Sequence, residues 1–277
     1  MMKKEKIDYG LKFFVEVLGA ENLHWGFFPD KRFPEGVFSL ENLKKAQREY
    51  TNHLISYIPE SVKRILDVGC GIGTIGSILS QKGYDVTCVS NDAYQEEILK
   101  KRHPDLRFVR SRFEKFSGEK LYDLLLFSES SQYIDIDTFA RKAYELLNPS
   151  GYVLICDYFR KENNSYYKTC NVLTEFKKKM AEGSFALIKE EDITDNVTPT
   201  IDLASYYYKR YGLPSIEIMG GYLETQINRT IRFLANVLFR KKLKKLNYYI
   251  KEHTPEKFDS KLFKEKIVYL MQLWQKG

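Results

Sequence analysis

The chain has few of the residues that build metal sites or disulfide frameworks. Only four cysteines (Cys70, Cys88, Cys156, Cys170) occur in 277 residues, none in a C-x-x-C pair, and three fall in or beside apolar runs that read as strands. They behave as small buried hydrophobes, not as a disulfide set or a zinc site. The four histidines (His24, His53, His103, His253) are equally dispersed, so no metal is expected. No apolar run approaches the roughly 18 residues of a membrane span. The N-terminal Met1-Met2-Lys3-Lys4-Glu5-Lys6 is basic with no apolar segment behind it, which argues against a signal peptide and for a cytoplasmic protein. Internal repeats and low-complexity segments are also missing.

What is present suits a soluble globular chain: 43% hydrophobic and 29% charged residues, enough length for one sizeable core with insertions. The net charge of +7 is uneven. Its densest run is Arg240-Lys241-Lys242-Leu243-Lys244-Lys245, against an acidic stretch at Glu190-Glu191-Asp192 and Asp195. Such runs are usually solvated faces.

The organising stretch is Arg64 to Thr74. Ile65, Leu66 and Val68 read as a buried parallel strand, and Gly69, Gly71 and Gly73 follow at once before the helix-compatible segment Ile75 to Lys82. A turn of this kind needs glycine, because positive φ and close approach of a ligand to bare backbone both exclude a Cβ. The helix behind it offers unpaired N–H groups to a polar or anionic group. Asp67 places an acid in an otherwise apolar strand end, where burial without a partner is costly. The spacing differs from the G-x-G-x-x-G of dinucleotide sites.

D-V-G-C-G-I-G resembles the first motif of the Rossmann-like methyltransferases that use S-adenosylmethionine, over roughly residues 60–160. In that family the glycine turn passes beside the methionine moiety and the acid supports it, which implies Asp67, Gly69, Gly71 and Gly73 as cofactor residues. The segment N-L-H-W-G-F-F from Asn22, followed by S-L-x-x-L-K-K-A-Q from Ser39, looks like the N-terminal region of small-molecule methyltransferases. There a loop and helix fold over the cofactor, so Tyr9, Trp25 and Gln47 become candidates. For Trp25 a second reading, a core aromatic anchoring the cover, stands beside the first.

After the turn, Val86 to Ser90 reads as a strand whose end should carry a ribose ligand, where an acid is usual. This chain has Ser90, then Asn91 and Asp92. Ser90 and Asn91 are taken as the cofactor candidates and Asp92 as the N-cap of a helix Ala93–Arg102. At Ser111, Arg112 and Phe113, where related enzymes often carry an acid for the adenine amino group, Arg112 occupies the acid's place. Backbone groups or Phe113 stacking on the base are the expected substitutes, and pairing of Arg112 with Glu114 or Asp123 is the alternative.

Tyr122 to Phe127 is apolar after its first two residues, so it should be a central strand buried on both faces. It delivers Ser128, Glu129 and Tyr133 to the carboxyl edge of the sheet, the ligand edge of open α/β folds. Asn148-Pro149-Ser150-Gly151 reads as the turn ending a helix, and Tyr152 to Cys156 as the fifth strand, with Asp157 emerging on the same edge. L-L-N-P-S-G-Y-V-L-I-C-D resembles a further motif of the same methyltransferases. Beyond it, Tyr166 to Ala181 reads as a helix, Phe185 to Lys189 as the sixth strand, and Ile267 to Trp274 as the last.

The expected fold is therefore α/β: a Rossmann-like, seven-stranded, mostly parallel sheet with an antiparallel last strand. Residues 1–58 would form an N-terminal helical cover, 59–190 the cofactor-binding core, 191–260 a helical lid or substrate insertion, and 261–277 the final strand. Tyr9 to Leu18 would bury Leu11, Phe14, Val15 and Leu18. Residues 227–250 place apolar side chains mostly on one helical face among arginines and lysines. They could make a peripheral membrane contact or close over a hydrophobic ligand, although packing on their own domain is the commoner outcome.

The resemblance implies methyl transfer from S-adenosylmethionine to an O, N or C nucleophile of a small or amphiphilic molecule. A base is needed only if the acceptor loses a proton, and His24, Glu129, Tyr133 and Asp157 are the candidates. Ser128 and Glu129 double as cofactor-edge residues. A nucleic-acid methyltransferase is the rival enzyme class, but no N-P-P-Y-like tetrapeptide and no RNA-binding module are recognisable, so no nucleic-acid partner is expected. A non-catalytic S-adenosylmethionine-binding scaffold is the other alternative, supported by Ser90 and Arg112. The oligomeric state is not legible.

Overall fold

Seven strands form one sheet in the computed structural model, which describes residues 8–33, 38–118, 121–163, 166–226, 228, 240–242, 244–245, 248, 250 and 254–277. The strands are β1 (Arg64–Val68), β2 (Asp85–Ser90), β3 (Arg107–Arg110), β4 (Tyr122–Ser128), β5 (Leu147–Arg160), β6 (Phe185–Asp192) and β7 (Ile267–Lys276). Their order is β3-β2-β1-β4-β5-β7-β6. Only β7 runs against its neighbours, lying antiparallel between β5 and β6. The mostly parallel sheet with an antiparallel last strand is thus as expected.

Burial explains the strand pattern. In β4, Leu124 and Leu126 pack with Tyr50, Leu54, Leu79 and Leu99, carried by α2 (Leu40–Ile55), α3 (Thr74–Gln81) and α4 (Ala93–Arg102). Leu125 and Phe127 point the other way, into a cluster with Phe139 and Phe176 from α5 (Ile136–Leu146) and α6 (Leu173–Glu182). A strand covered by helices on both faces must be apolar at successive positions, as this one is.

The order reverses between β1 and β4, so the crevice at their carboxyl ends is the switch point where ligands bind in open α/β sheets. Two caps hold the flanking helices at that edge. Ser39 accepts from the Asn42 N–H to start α2, and Asp92 accepts from the Gln95 N–H to start α4. The reading of Asp92 as a helix cap agrees with the second of these.

Several local expectations are corrected. Helix α1 (Tyr9–Glu16) buries only Val15, while Phe14 is exposed and Leu11 and Leu18 are half-buried, so the face expected to be inside is largely outside. Residues Asn148–Gly151 belong to the long strand β5, which shifts register where it leaves Tyr122. The helix expected from Tyr166 begins only at Leu173. Tyr166 and Tyr167 instead pack on Phe263 and beneath Lys257, in a third apolar cluster.

Between β6 and β7 the described residues are mostly helical, with α7 (Thr194–Val197), α8 (Pro199–Tyr207), a five-residue π-helical turn, α9 (Leu213–Gln226) and short helices at Thr254–Lys257 and Ser260–Lys266. Most of the expected amphipathic segment 227–250 lies outside the described residues. Among the described residues no helix is long and apolar enough to cross a membrane.

Candidate active site

The backbone of Val68–Gly73 builds the floor of the switch-point crevice. Gly69 adopts φ +72°, and a Cβ there would stand 2.4 Å from the Ser130 Cβ. The tight approach has a cause, because Ser130 donates its hydroxyl to the Val68 carbonyl at 2.6 Å and ties the loop after β4 over the end of β1. Gly71 lies at φ +56° with Leu23 of the N-terminal loop overhead, and Gly73 opens α3.

Two open clefts meet at Gly69. The first, about 40 Å³, is walled by Asn22–His24, Asp67, the Gly69–Ile72 turn and Ser128. The second, about 380 Å³, is walled by Ser90, Asn91, Ser111–Glu114, Ser130 and Tyr133. The second falls in the range of small-molecule sites, and the first is a narrow slot opening beside it.

The first cleft is polar in an unbalanced way. Asp67 is buried and its carboxyl meets only the Cys88 thiol at 4.0 Å, so burial pushes its pKa up to about 7. The Asn22 Oδ1 is buried with no hydrogen-bond partner. An acid and an orphaned acceptor on one wall call for a cationic donor.

Glu129 lines neither cleft itself but follows β4 in the chain between Ser128 on the wall of the first and Ser130 on the wall of the second, with a left-handed φ of +53°. That conformation costs a non-glycine residue on the order of 1–3 kcal/mol and persists only where the surroundings hold it. Here Oε1 accepts from the Trp25 N–H at 2.7 Å and from the Tyr269 hydroxyl at 2.8 Å. Burial, opposed by those two bonds and reinforced by the nearby Asp157 charge, pushes the Glu129 carboxyl up to about 8.

The other base candidates are engaged elsewhere. His24 is buried and stacked on Tyr50, its Nδ1 faces the Trp25 carbonyl at 2.7 Å, and burial lowers its pKa to about 4. It fixes the loop. Asp157 accepts from the Ser131 hydroxyl, the Gln132 and Tyr158 N–H groups and the Gln132 amide, so it anchors the loop after β4 and has no oxygen to spare. Its pKa still rises to about 6 through burial. Tyr133 is exposed at the mouth of the second cleft.

Four cofactor candidates are displaced from the roles expected of them. Tyr9 is 74% exposed and lines neither cleft. Gln47 reaches the carbonyls of Asn22 and His24, clamping the loop from behind. The Phe113 ring is buried edge-on to Phe127, so it cannot stack on a ligand. Ser90 lines the second cleft, but its hydroxyl donates to Gln95 Oε1 at 2.6 Å and accepts from the Asp92 N–H. Asn91, Ser111 and Arg112 stay on that cleft's wall, and Asp123, one partner considered for Arg112, is taken by Lys63, Arg64 and Asn148. The Trp25 indole packs among Tyr158, Phe263 and Tyr269, which favours the anchoring reading, while its backbone N–H reaches Glu129.

Two residues escaped the sequence reading. Tyr50 and Tyr269 meet at 3.2 Å beneath Glu129, one from α2 and one from β7. Tyr50 shares a helix face with Gln47 and Leu54 and is buried with them. Only its hydroxyl, which needs a partner once buried, hinted at more.

Residues 41–190 match the family of the methyltransferase domain, more than half of the chain. The chain belongs to that methyltransferase family. It is 28% identical over 120 residues to a ubiquinone biosynthesis O-methyltransferase of Rickettsia akari, covering 41% of this chain and 45% of that protein. An enzyme of the same description from Azorhizobium caulinodans is 29% identical over 115 residues, 39% of this chain and 45% of the relative. This methyltransferase thus spans about half the length of the curated relatives it matches. Among solved structures, a geranyl diphosphate C-methyltransferase from Streptomyces coelicolor, in complex with S-adenosyl-L-homocysteine, superposes with a TM-score of 0.71 at 11% identity, over 99% of this chain and 94% of its own. An O-methyltransferase of a Brevibacillus brevis polyketide synthase gives 0.65 at 16% identity, over 93% and 85%. These last likenesses are of fold.

Proposed function

We propose that this methyltransferase uses S-adenosylmethionine, bound across the two clefts, and methylates a hydroxyl of a small or amphiphilic acceptor with Glu129 as base. The fit of the cofactor rests on the first cleft, where Asp67 and the orphaned Asn22 Oδ1 suit an α-ammonium group. The second cleft offers Asn91, Ser111 and Arg112 to a nucleoside. The cofactor supplies a methyl group already activated on a sulfonium, so the chain's task is to align the acceptor and exclude water.

The observation that carries the choice of a hydroxyl is Glu129. One oxygen is fixed by Trp25 and Tyr269 in a residue that is half-buried as a whole, which leaves Oε2 to take a proton. A pKa of about 8 matches a base working on a weakly acidic hydroxyl near neutral pH. The description of the relatives as O-methyltransferases supports the same choice.

In this reading residues 1–58 cover the cofactor and 191–260 wall the acceptor. The exposed apolar face of α9 and the exposed Arg240–Lys242 suit an amphiphilic acceptor presented at a membrane surface. Titration with S-adenosylhomocysteine, followed by methyl-transfer assays on phenols and amines, tests the proposal. Binding with transfer to phenols and loss of transfer in Glu129→Gln is the expected result. No binding removes the cofactor assignment, and full activity of Glu129→Gln removes the base.

A further inference from the structure

Beneath Glu129 runs a line of hydroxyls that ends in the first cleft. Ser128 Oγ lies 2.9 Å from the Tyr50 hydroxyl, which lies 3.2 Å from that of Tyr269, which in turn lies 2.8 Å from Glu129 Oε1. Ser128 is part of the wall of the cleft that holds Asp67 and Asn22. Tyr50 and Tyr269 are both fully buried, so solvent does not break the chain between its ends.

Each hydroxyl has one proton, and this permits two directions. With Glu129 ionised, Tyr269 donates to Glu129, Tyr50 to Tyr269 and Ser128 to Tyr50, which leaves the Ser128 oxygen as an acceptor toward the cleft. With Glu129 protonated on Oε1, that oxygen donates to Tyr269 while Trp25 still donates to it, Tyr269 donates to Tyr50, and Tyr50 donates to Ser128 or to the Cys156 carbonyl, 3.5 Å away. Ser128 then has its own proton to turn outward. Every hydroxyl keeps its proton and only rotates; the one proton that leaves goes from Glu129 to solvent.

We propose that the Ser128–Tyr50–Tyr269 line couples the two ends of the site, so that the α-ammonium group of the cofactor, entering the first cleft, selects the direction that ionises Glu129. Tyr50 and Tyr269 are positioning residues, and the base is charged when the cofactor is in place. The proposal rests on the cofactor reading above. A ligand that favours one state of a two-state element shifts that element by its differential affinity, and the coupling is reciprocal. Cofactor binding must therefore release a proton and tighten as pH rises.

The groups facing Glu129 do not obscure this. Asp157 and the Cys156 thiol, kept neutral by burial, come from β5, Tyr158 and Tyr167 from β5 and the segment after it, and Tyr133 from the loop after β4. The tyrosines are held neutral by burial and by the Glu129 and Asp157 charges, and His24 is neutral above about pH 4. Asp67, in the first cleft itself, also releases its proton to solvent when an ammonium group pairs with it, and the test separates its share.

The test is calorimetric titration with S-adenosylhomocysteine at pH 7.5 in buffers of different ionisation enthalpy. The wild type is expected to release more protons than Glu129→Gln, the remainder coming from Asp67. Tyr50→Phe, which keeps the buried ring, is expected to fall to the level of Glu129→Gln, and the double variant no further. A full proton released steepens affinity by about tenfold per pH unit, so the same loss appears in the pH dependence of Kd. Wild-type release from Tyr50→Phe overturns the coupling while leaving cofactor binding intact, and so does wild-type release from Glu129→Gln. Absence of any binding by the wild type overturns the cofactor reading and the coupling with it. If Tyr50→Phe fails to fold, Ser128→Ala, at the part-buried end of the line, decides the question by the same criterion.

Discussion

The backbone N–H of Trp25 donates to Glu129 Oε1 at 2.7 Å, so the N-terminal cover holds the residue at the end of the central strand, 104 positions away. The cover is itself pinned, since Gln47 on α2 clamps the carbonyls of Asn22 and His24, and Phe27 donates its N–H to the Ala46 carbonyl. Disorder in this loop would therefore reach the base directly.

Glu129→Gln is expected to lower kcat by roughly 10²- to 10⁴-fold, the usual worth of a general base, with a smaller effect on KM. In the wild type kcat/KM should rise with pH to a plateau above about 8, where the free enzyme's carboxyl is ionised. Stability runs the opposite way. The folded protein keeps the Glu129 proton up to about pH 8, whereas an unfolded glutamate loses it near 4.5, so this contribution is full below 4.5 and is lost as pH rises through 8. Melting curves from pH 6 to 9 should show a decline that the glutamine variant lacks.

Asp67→Asn tests the first cleft. We expect S-adenosylhomocysteine to bind about 10- to 100-fold more weakly, because a buried carboxylate paired with a cation is worth more than a neutral hydrogen bond. Without ligand the same change should raise the melting temperature above pH 7, since the wild-type carboxyl must then ionise while buried without a partner. Unchanged affinity alongside the raised melting temperature would make Asp67 a structural residue.

Much of the fold was legible because parallel strands buried on both faces leave unbroken apolar runs, as in Leu124–Phe127, and because positive φ at Gly69 and Gly71 selects glycine. The site was legible only where chemistry follows position along one strand, as for Asp67 and Glu129. Ser90 and Phe113 stand where the pattern placed them, yet Gln95 claims the Ser90 hydroxyl and the core claims the Phe113 ring. Tyr50 and Tyr269 were out of reach for another reason. Their roles come from a contact 219 positions apart, and a buried tyrosine on an apolar face carries no local mark of its partner.

At the glycine turn the two substitutions should differ. Gly69→Ala sets a Cβ at 2.4 Å from Ser130 and keeps the unfavourable φ, so it should destabilise the protein by at least about 1–2 kcal/mol, readable in urea unfolding. Gly71→Ala meets only the Leu23 side chain at 3.1 Å, which can move. It should cost about 1 kcal/mol through φ and weaken cofactor binding more than stability. Equal losses of stability in both would show that Leu23 is as fixed as Ser130.

The last expectation concerns the insertion. Helix α9 exposes Ile218, Met219, Tyr222 and Leu223, at 73%, 64%, 63% and 53%, and so presents an apolar face of a kind that soluble surfaces seldom leave bare. Arg240, Lys241 and Lys242 are exposed further along the same insertion. Apolar side chains beside basic ones favour an anionic lipid surface over a zwitterionic one. Flotation with vesicles of phosphatidylglycerol and of phosphatidylcholine should therefore retain the protein on the first and far less on the second. Ile218→Ser with Tyr222→Ser should lower retention by at least about tenfold, since burying each large apolar side chain is worth roughly 1.5–3 kcal/mol. S-adenosylhomocysteine affinity, which belongs to the clefts at the sheet edge, should stay the same in that variant. Equal retention on both lipids, or retention indifferent to the two serines, would leave α9 as a wall for the acceptor and nothing more.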